Sequence, residues 1–330
     1  MSGLEEVSEG GEGVGMAEAN GRWLPLAYVG YMTSVERVGC VVEAAPNEVL
    51  GSPSVSLMVE PTGDVRVLSA CEQLFCPPYV CVGASFPQSS VPHKALAAAA
   101  EAVGVTCHSV GAIGYIGVDF VVSCEGGVLK LWPMELHLRQ TDSQAIYELF
   151  DFVAAGEYDP EAGAYRVPSV DSEAARALLS RDRPPARGTA LAATPTSRRA
   201  FAAAHHVSHP AISSLLYANF MQDCRTEKVC FNMEARLGTA LHLHDSLAAG
   251  ALGVLCVASE PRAALVALTR AMDFVVAQVE AHVRPGAATA TAGAPADAEE
   301  TPPTLQAVHG TLRFLSQSLS EQPAVAALAG

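Results

Sequence analysis

The chain has 330 residues, and 20 Lys+Arg against 35 Asp+Glu leave a net charge of −15. So acidic a chain, with no local basic patch, is not a general nucleic-acid binder, because long polyanions are held by Lys and Arg contacts to phosphate. Apolar residues make up 50% and charged residues 17%, enough for one large or two smaller cores. Aromatics reach only 6%, so Ala, Val and Leu must fill those cores.

No apolar run reaches the roughly 18 residues of a membrane span, and no basic segment followed by an apolar one opens the chain. A cytoplasmic protein without membrane association is expected. The nine Cys lack C-x-x-C spacing, and Cys71, Cys76 and Cys81 recur every fifth residue, which suits neither a strand face nor a zinc site. Buried thiols are the expectation.

Residues 1–20 are rich in Gly and Glu and read as a disordered acidic tail. Short apolar runs follow at 27–31, 39–43, 55–60 and 65–69, each a strand signal. Pro61-Thr62-Gly63-Asp64 has the residues of a tight turn, so 54–60 and 64–69 read as an antiparallel hairpin. Pro92-His93-Lys94 opens an Ala/Leu-rich helix to about Cys107, which Gly104 interrupts or ends. A second hairpin is expected from 115–123 through Glu125-Gly126-Gly127 to 128–139. Ile146, Leu149, Phe150 and Val153 give 143–155 helical spacing, stopped by Gly156, Asp159 and Pro160.

The Arg/Pro/Thr/Ala-rich stretch near 180–199 reads as linker. Beyond it, 211–224 looks helical, 229–234, 239–243 and 253–258 look like strands, and 260–282 is a long amphipathic helix whose apolar stripe packs on the small sheet. The expected organisation is α+β: a tail over 1–20, a first domain over 21–160, a linker over 161–200, and a small α+β domain over 201–284. A low-complexity linker over 285–303 and a short helix and tail over 304–330 complete it.

The second hairpin carries the chemistry. In Met134-Glu135-Leu136-His137-Leu138-Arg139, alternation puts Glu135, His137 and Arg139 on one face and sends Leu136 and Leu138 to the core. A three-residue turn centred on Gly126 places Asp119 diagonally beside Glu135, with the carboxylates within roughly 8 Å. Two carboxylates at that separation suit a hard divalent cation such as Mg²⁺, and Arg139 suits a phosphate or acyl-phosphate oxygen. The competing reading is a half-solvated strand whose charges face water.

Several collinear segments bear on that choice: Val41-Val42-Glu43, Ser52-Pro53-Ser54-Val55-Ser56, Val67-Leu68-Ser69 with Gln73, Gly83 to Pro87, Gly114 to Val122, and Glu135 to Arg139. Together they resemble the C-terminal half of an ATP-grasp domain, and among such proteins the peptide-ligase-like and IQ-motif-containing protein H groups. Gly238-Thr239, His242-Leu243, Gly253-Val254-Leu255 and the helix from Glu260 are similar to the C-terminal appendage of the same ligase-like proteins.

The resemblance implies a C-terminal ATP-grasp subdomain, an antiparallel sheet with helices, plus a small α+β appendage. It implies ATP and Mg²⁺ as cofactors, with a carboxylate phosphorylated and then attacked by an amine. By position, Glu43 falls on the hinge contacting adenine and ribose, Asp119 and Glu135 on magnesium ligands, and Arg139 near the transferred phosphate. His137 stands in the same cofactor site where active members carry Asn, and imidazole is a poorer partner for a hard cation. The chain starts just before the hinge, so a fragment or a catalytically degenerate module is expected, related to ATP-dependent carboxylate–amine ligases. The alternative is a non-catalytic interaction or nucleotide-sensing module. Relatives imply calmodulin as partner, but no IQ pattern occurs here.

Other signals are weaker. Gly111-x-x-Gly114-x-x-Gly117 lacks dinucleotide-fingerprint spacing and leads into a strand. His205, His206 and His209 on one turn, with His242 and His244 on one strand face, make a metal site conceivable, but satisfied or solvated histidines are the favoured reading.

Overall fold

The computed structural model describes residues 35–40, 46, 48–76, 80–168, 196–282 and 305–321. Alternation builds the first hairpin. In β2 (Pro53–Val59) Val55, Leu57 and Val59 enter one core while Ser54 and Ser56 point to the opposite face. Both serines are buried too, so the strand is covered on both sides. β3 (Val65–Cys76) returns antiparallel through the expected turn, with Gly63 at a φ of 94° and the Gly63 N–H donating to the Glu60 carbonyl.

The remaining strands are β1 (Val49–Gly51), β4 (Val80–Phe86), β5 (Gly114–Glu125), β6 (Val128–His137), β7 (Glu157–Asp159), β8 (Ala164–Pro168), β9 (Thr196–Ser208), β10 (Phe231–Asn232), β11 (Leu237–Leu243) and β12 (Ala251–Ala258). Among the described residues they form one antiparallel sheet in the order β1-β5-β2-β3-β4-β9-β12-β11-β10. β6 pairs with β5 at one margin, and β8 joins β9 to β7.

Helix α1 (His93–Ser109) lies on one face, where Leu96, Ala100 and Cys107 meet Leu57, Val67 and Val118. Gly104 does not end it. A Cβ at Gly104 would sit 2.7 Å from Val65 Cγ1, so the glycine permits close helix–sheet approach instead. Helix α2 (Asp142–Ala154) covers the opposite face with Ile146, Tyr147 and Phe150 against Cys71, Phe86, Phe201 and Leu255. Helix α3 (Tyr217–Thr226) is short. Helices α4 (Pro261–His282) and α5 (Leu305–Glu321) share the α1 face, where Leu268, Met272 and Val275 with Leu305, Val308 and Leu312 cover Ala202, Ala204, Val254 and Cys256.

The α+β architecture is as expected, but the linker expected over 161–200 contains β8 and the start of β9. β9 is the strand that sequence reading missed. It pairs with β4, β8 and β12, so one sheet runs through what the sequence divides into two domains. The helix expected over 211–224 is a 3₁₀ turn at Pro210–Ser214 followed by α3, and the strand over 229–234 shrinks to β10. The tail over 1–20, the runs at 27–31 and 41–43, and the segment 285–303 lie outside the described residues. No described helix is long and apolar enough to cross a membrane.

Candidate functional site

Gly126 and Gly127, at φ 59° and 79°, make a two-residue turn that pairs Glu125 with Val128. Both positive angles suit the hairpin turn whose twist matches the strands. In that register Asp119 would oppose Met134, and Glu135 would point to the other face. An irregularity between Asp119 and Phe120 inserts one residue into β6, so Asp119 faces Glu135 directly and Gly117 faces His137. The bulge therefore decides which side chains share the face. The expected diagonal offset is corrected to a direct cross-strand pair.

Leu136 and Leu138 do not enter the core. They are 49% and 63% exposed, because β6 is a sheet margin and α1 packs chiefly on β2 and β3. On the polar face, His137 Nε2 lies 3.2 Å from Asp119 Oδ2 and 3.3 Å from Glu135 Oε2. One ligand atom from each of Asp119, Glu135 and His137 lies within 4.8 Å of the others. The Gln73 side-chain amide donates to Asp119 Oδ2 at 3.1 Å, fixing the carboxylate from β3. Gln73 belongs to the quoted motif, but nothing in its spacing identifies this contact.

Exposure grades across the cluster. Asp119 is 15% exposed, His137 24% and Glu135 67%, so the site opens outward from a buried floor. Asp119 Oδ1 is buried and has no hydrogen-bond partner, and neither has Ser54 Oγ, whose residue pairs with Asp119 across the sheet. A buried carboxylate oxygen without a donor is costly, and a cation or donor beside it removes that cost. These residues thus fit a divalent cation. Gly117 serves the same corner: a Cβ there would sit 2.4 Å from Thr141 Cγ2, so the α2 N-terminus closes down beside His137. Thr141 Oγ1 caps that helix by accepting from the Gln144 N–H at 3.3 Å.

Arg139 is not drawn into the cluster. It lies past the end of β6, and its guanidinium donates to the neighbouring Gln140 carbonyl at 3.1 Å. Glu43 lies outside the described residues. Burial pushes the Cys81 thiol up to about 11, opposed by hydrogen bonding from the Gly83 backbone and reinforced by the charges of Asp119 and Asp142, so it stays protonated at pH 7. Among the described cysteines none is bridged, and Cys71, Cys76, Cys107, Cys224 and Cys256 are buried. A cleft of about 1040 Å³ between α1 and α2, lined by Glu101, Tyr115, Phe152 and Glu161, excludes the cluster.

The histidines form a second group on the same face. His206 and His244 have ring centroids 4.6 Å apart, and His242 and His244 5.3 Å. His205 and His242 are both lowered to about 4, mainly by burial, and are neutral at pH 7. His209 stands apart, accepting from the Ala211 N–H to cap the 3₁₀ turn.

Residues 27–161 match the family described as "IQCH-like, ATP-grasp". IQ motif-containing protein H of Danio rerio is 26% identical over 253 residues, which are 76% of this chain and 22% of that protein. This chain therefore spans about a fifth of that relative's length. Among solved structures, the biotin carboxylase domain of Hydrogenobacter thermophilus 2-oxoglutarate carboxylase, bound to MgADP and bicarbonate, shares 10% identity over 74% of this chain and 50% of its own at a TM-score of 0.44. The Thermus thermophilus N5-carboxyaminoimidazole ribonucleotide synthetase shares 14% over 78% of this chain and 58% of its own at 0.39. Over residues 27–161, then, the chain carries the IQCH-like ATP-grasp pattern that its own motifs imply.

Proposed function

We propose that this chain supplies the cation-holding half of a nucleotide site of the ATP-grasp kind, related to that of ATP-dependent carboxylate–amine ligases. The observation that carries this is the convergence of Asp119 and Glu135, beside a buried carboxylate oxygen that has no partner. In this reading Asp119 and Glu135 hold Mg²⁺ and Gln73 holds Asp119 in place. Arg139, just past the strand end, meets a phosphate oxygen, and Glu43 takes the adenine and ribose side by resemblance. When bound, the cation neutralises phosphate charge, which in phosphoryl transfer is most of what a protein site has to arrange. Water is kept from the Asp119 side by the α2 N-terminus and the β2–β3 floor.

A second reading, nucleotide sensing without ligation, is favoured by His137. Its imidazole nitrogen touches both carboxylates where an oxygen ligand for a hard cation would otherwise stand. Calorimetry with Mg·ATP tests the shared part of both readings. The expected result is binding weaker than about 10 μM, or less than about 7 kcal/mol, lost in both Asp119→Asn and Glu135→Gln. Equal affinity in either variant would overturn the cation-site reading.

A further inference from the structure

His137 belongs to the same polar corner but changes its chemistry. Its Nε2 approaches Asp119 Oδ2 and Glu135 Oε2 almost equally, at 3.2 and 3.3 Å, so two carboxylates and one imidazole point at a common centre. Behind them stand two buried oxygens without partners, Asp119 Oδ1 and Ser54 Oγ, and the Ser54 residue is only 2% exposed. The floor is therefore built for something that accepts electron pairs, and no described side chain supplies it. The ring is given room by its cross-strand neighbour. Gly117, its cross-strand partner, has no side chain to compete with it, and a Cβ on Gly117 would lie 3.5 Å from His137 Cβ and 2.4 Å from Thr141 Cγ2.

Donor chemistry separates the cations that could take this place. Mg²⁺ demands oxygen ligands and keeps its waters, whereas imidazole suits the later first-row cations such as Fe²⁺, Ni²⁺ and Zn²⁺, with Co²⁺ between Fe²⁺ and Ni²⁺ in the order of affinity. Two carboxylates with one imidazole on adjacent strands leave open positions for water or phosphate oxygens. We infer that Asp119, Glu135 and His137 form a three-ligand site for a first-row transition cation, with His137 as a direct ligand. The inference rests on the cation-site reading above and deepens it by naming the metal class.

The nearby histidines provide the control, because an imidazole group that is not this site could also capture such a metal. The experiment is calorimetric titration of the full chain with Co²⁺ alone and with Mg²⁺ alone, in the parent protein and in His137→Asn, Asp119→Asn and His244→Asn, each checked for folding by circular dichroism. The Co²⁺ visible spectrum is recorded in parallel. The inference expects Co²⁺ to bind the parent protein, His137→Asn to weaken it by about tenfold or more, and Asp119→Asn to abolish it. Mg²⁺ affinity is then unchanged or improved in His137→Asn, and His244→Asn behaves as the parent.

Loss of Co²⁺ affinity in Asp119→Asn with none in His137→Asn overturns the inference and leaves the cation-site reading standing. Loss in His244→Asn alone also overturns it, placing the metal at the other histidines. If neither Co²⁺ nor Mg²⁺ binds the parent chain, both readings fall. Should His137→Asn fail to fold, a parent Co²⁺ spectrum without a nitrogen-ligand signature overturns the inference by itself.

Discussion

Two polar clusters share one face of one sheet, and they differ in what surrounds them. Asp119, Glu135 and His137 sit on a margin hairpin, with exposure rising outward to 67% at Glu135. His205, His206, His242 and His244 sit on β9 and β11, deep enough that burial holds His205 and His242 neutral. Each leaves buried polar atoms without a partner, Asp119 Oδ1 in the first and His205 Nε2 and His242 Nε2 in the second, but the first gathers carboxylates around them and the second packs ring on ring. The lesson is that polarity alone does not mark a site. Carboxylates at an accessible margin are prepared for a ligand, whereas rings that burial holds neutral, as at His205 and His242, are part of the packing.

Acid should separate them most. The unfolded histidines protonate near 6.5, while His205 and His242 resist until about 4. Between those values the unfolded chain binds more protons, so stability is complete above about 6.5 and falls as the pH drops toward 4. For His205 alone the loss is on the order of 3 kcal/mol, read by urea unfolding across that window. Asp142 opposes the shift at His205, and the neighbouring His242 and His244 add to it. A flat profile from pH 7 to 4.5 would mean that these rings are not held as neutral packing.

A smaller effect is expected at Gly253. Its missing side chain makes room for the His242 ring, since a Cβ would lie 1.9 Å from His242 Cε1 and Nε2. Gly253→Ala should destabilise the fold by about 1–3 kcal/mol through overpacking, while leaving cation binding at Asp119 intact. Glu135→Gln should do the reverse. At an exposed strand position it should move stability by less than about 0.5 kcal/mol yet remove the cation, as paired urea and calorimetric titrations would record. If Glu135→Gln instead cost as much stability as Gly253→Ala, the margin cluster would be structural as well.

How much of this was legible differs by element. The first hairpin and the position of the second's turn, though not its two-residue length, follow from turn residues and period-two alternation, and the helices from caps and spacing. The α2 N-cap at Thr141 needs the helix start, which sequence spacing places within a residue or two. Asp119 and Glu135 were legible as neighbours, but not as a direct pair, because a one-residue bulge at Met134 leaves no mark in composition.

β9 was not legible, and the reason is physical. Its centre is Ala-Phe-Ala-Ala-Ala, a helix-favouring string. Small residues are nevertheless required there. Ala202 and Ala204 pack under α4 on one face and Ala203 under α2 on the other, with all three at most 1% exposed. Tertiary context thus overrode propensity at the strand that joins the two halves. The exposed Leu136 and Leu138 illustrate the opposite error, since alternation predicts a shared face but not whether anything covers it.

Amide chemical-shift mapping during titration with Mg·ATP, repeated with Mn²⁺-free Zn·ATP, tests the distinction between the clusters most directly. Shifts concentrated at Gly117, Asp119, Gln73, Glu135 and His137, absent in Asp119→Asn, are the predicted result. Shifts centred on His205, His206, His242 and His244, or shifts that persist unchanged in Asp119→Asn, would contradict it.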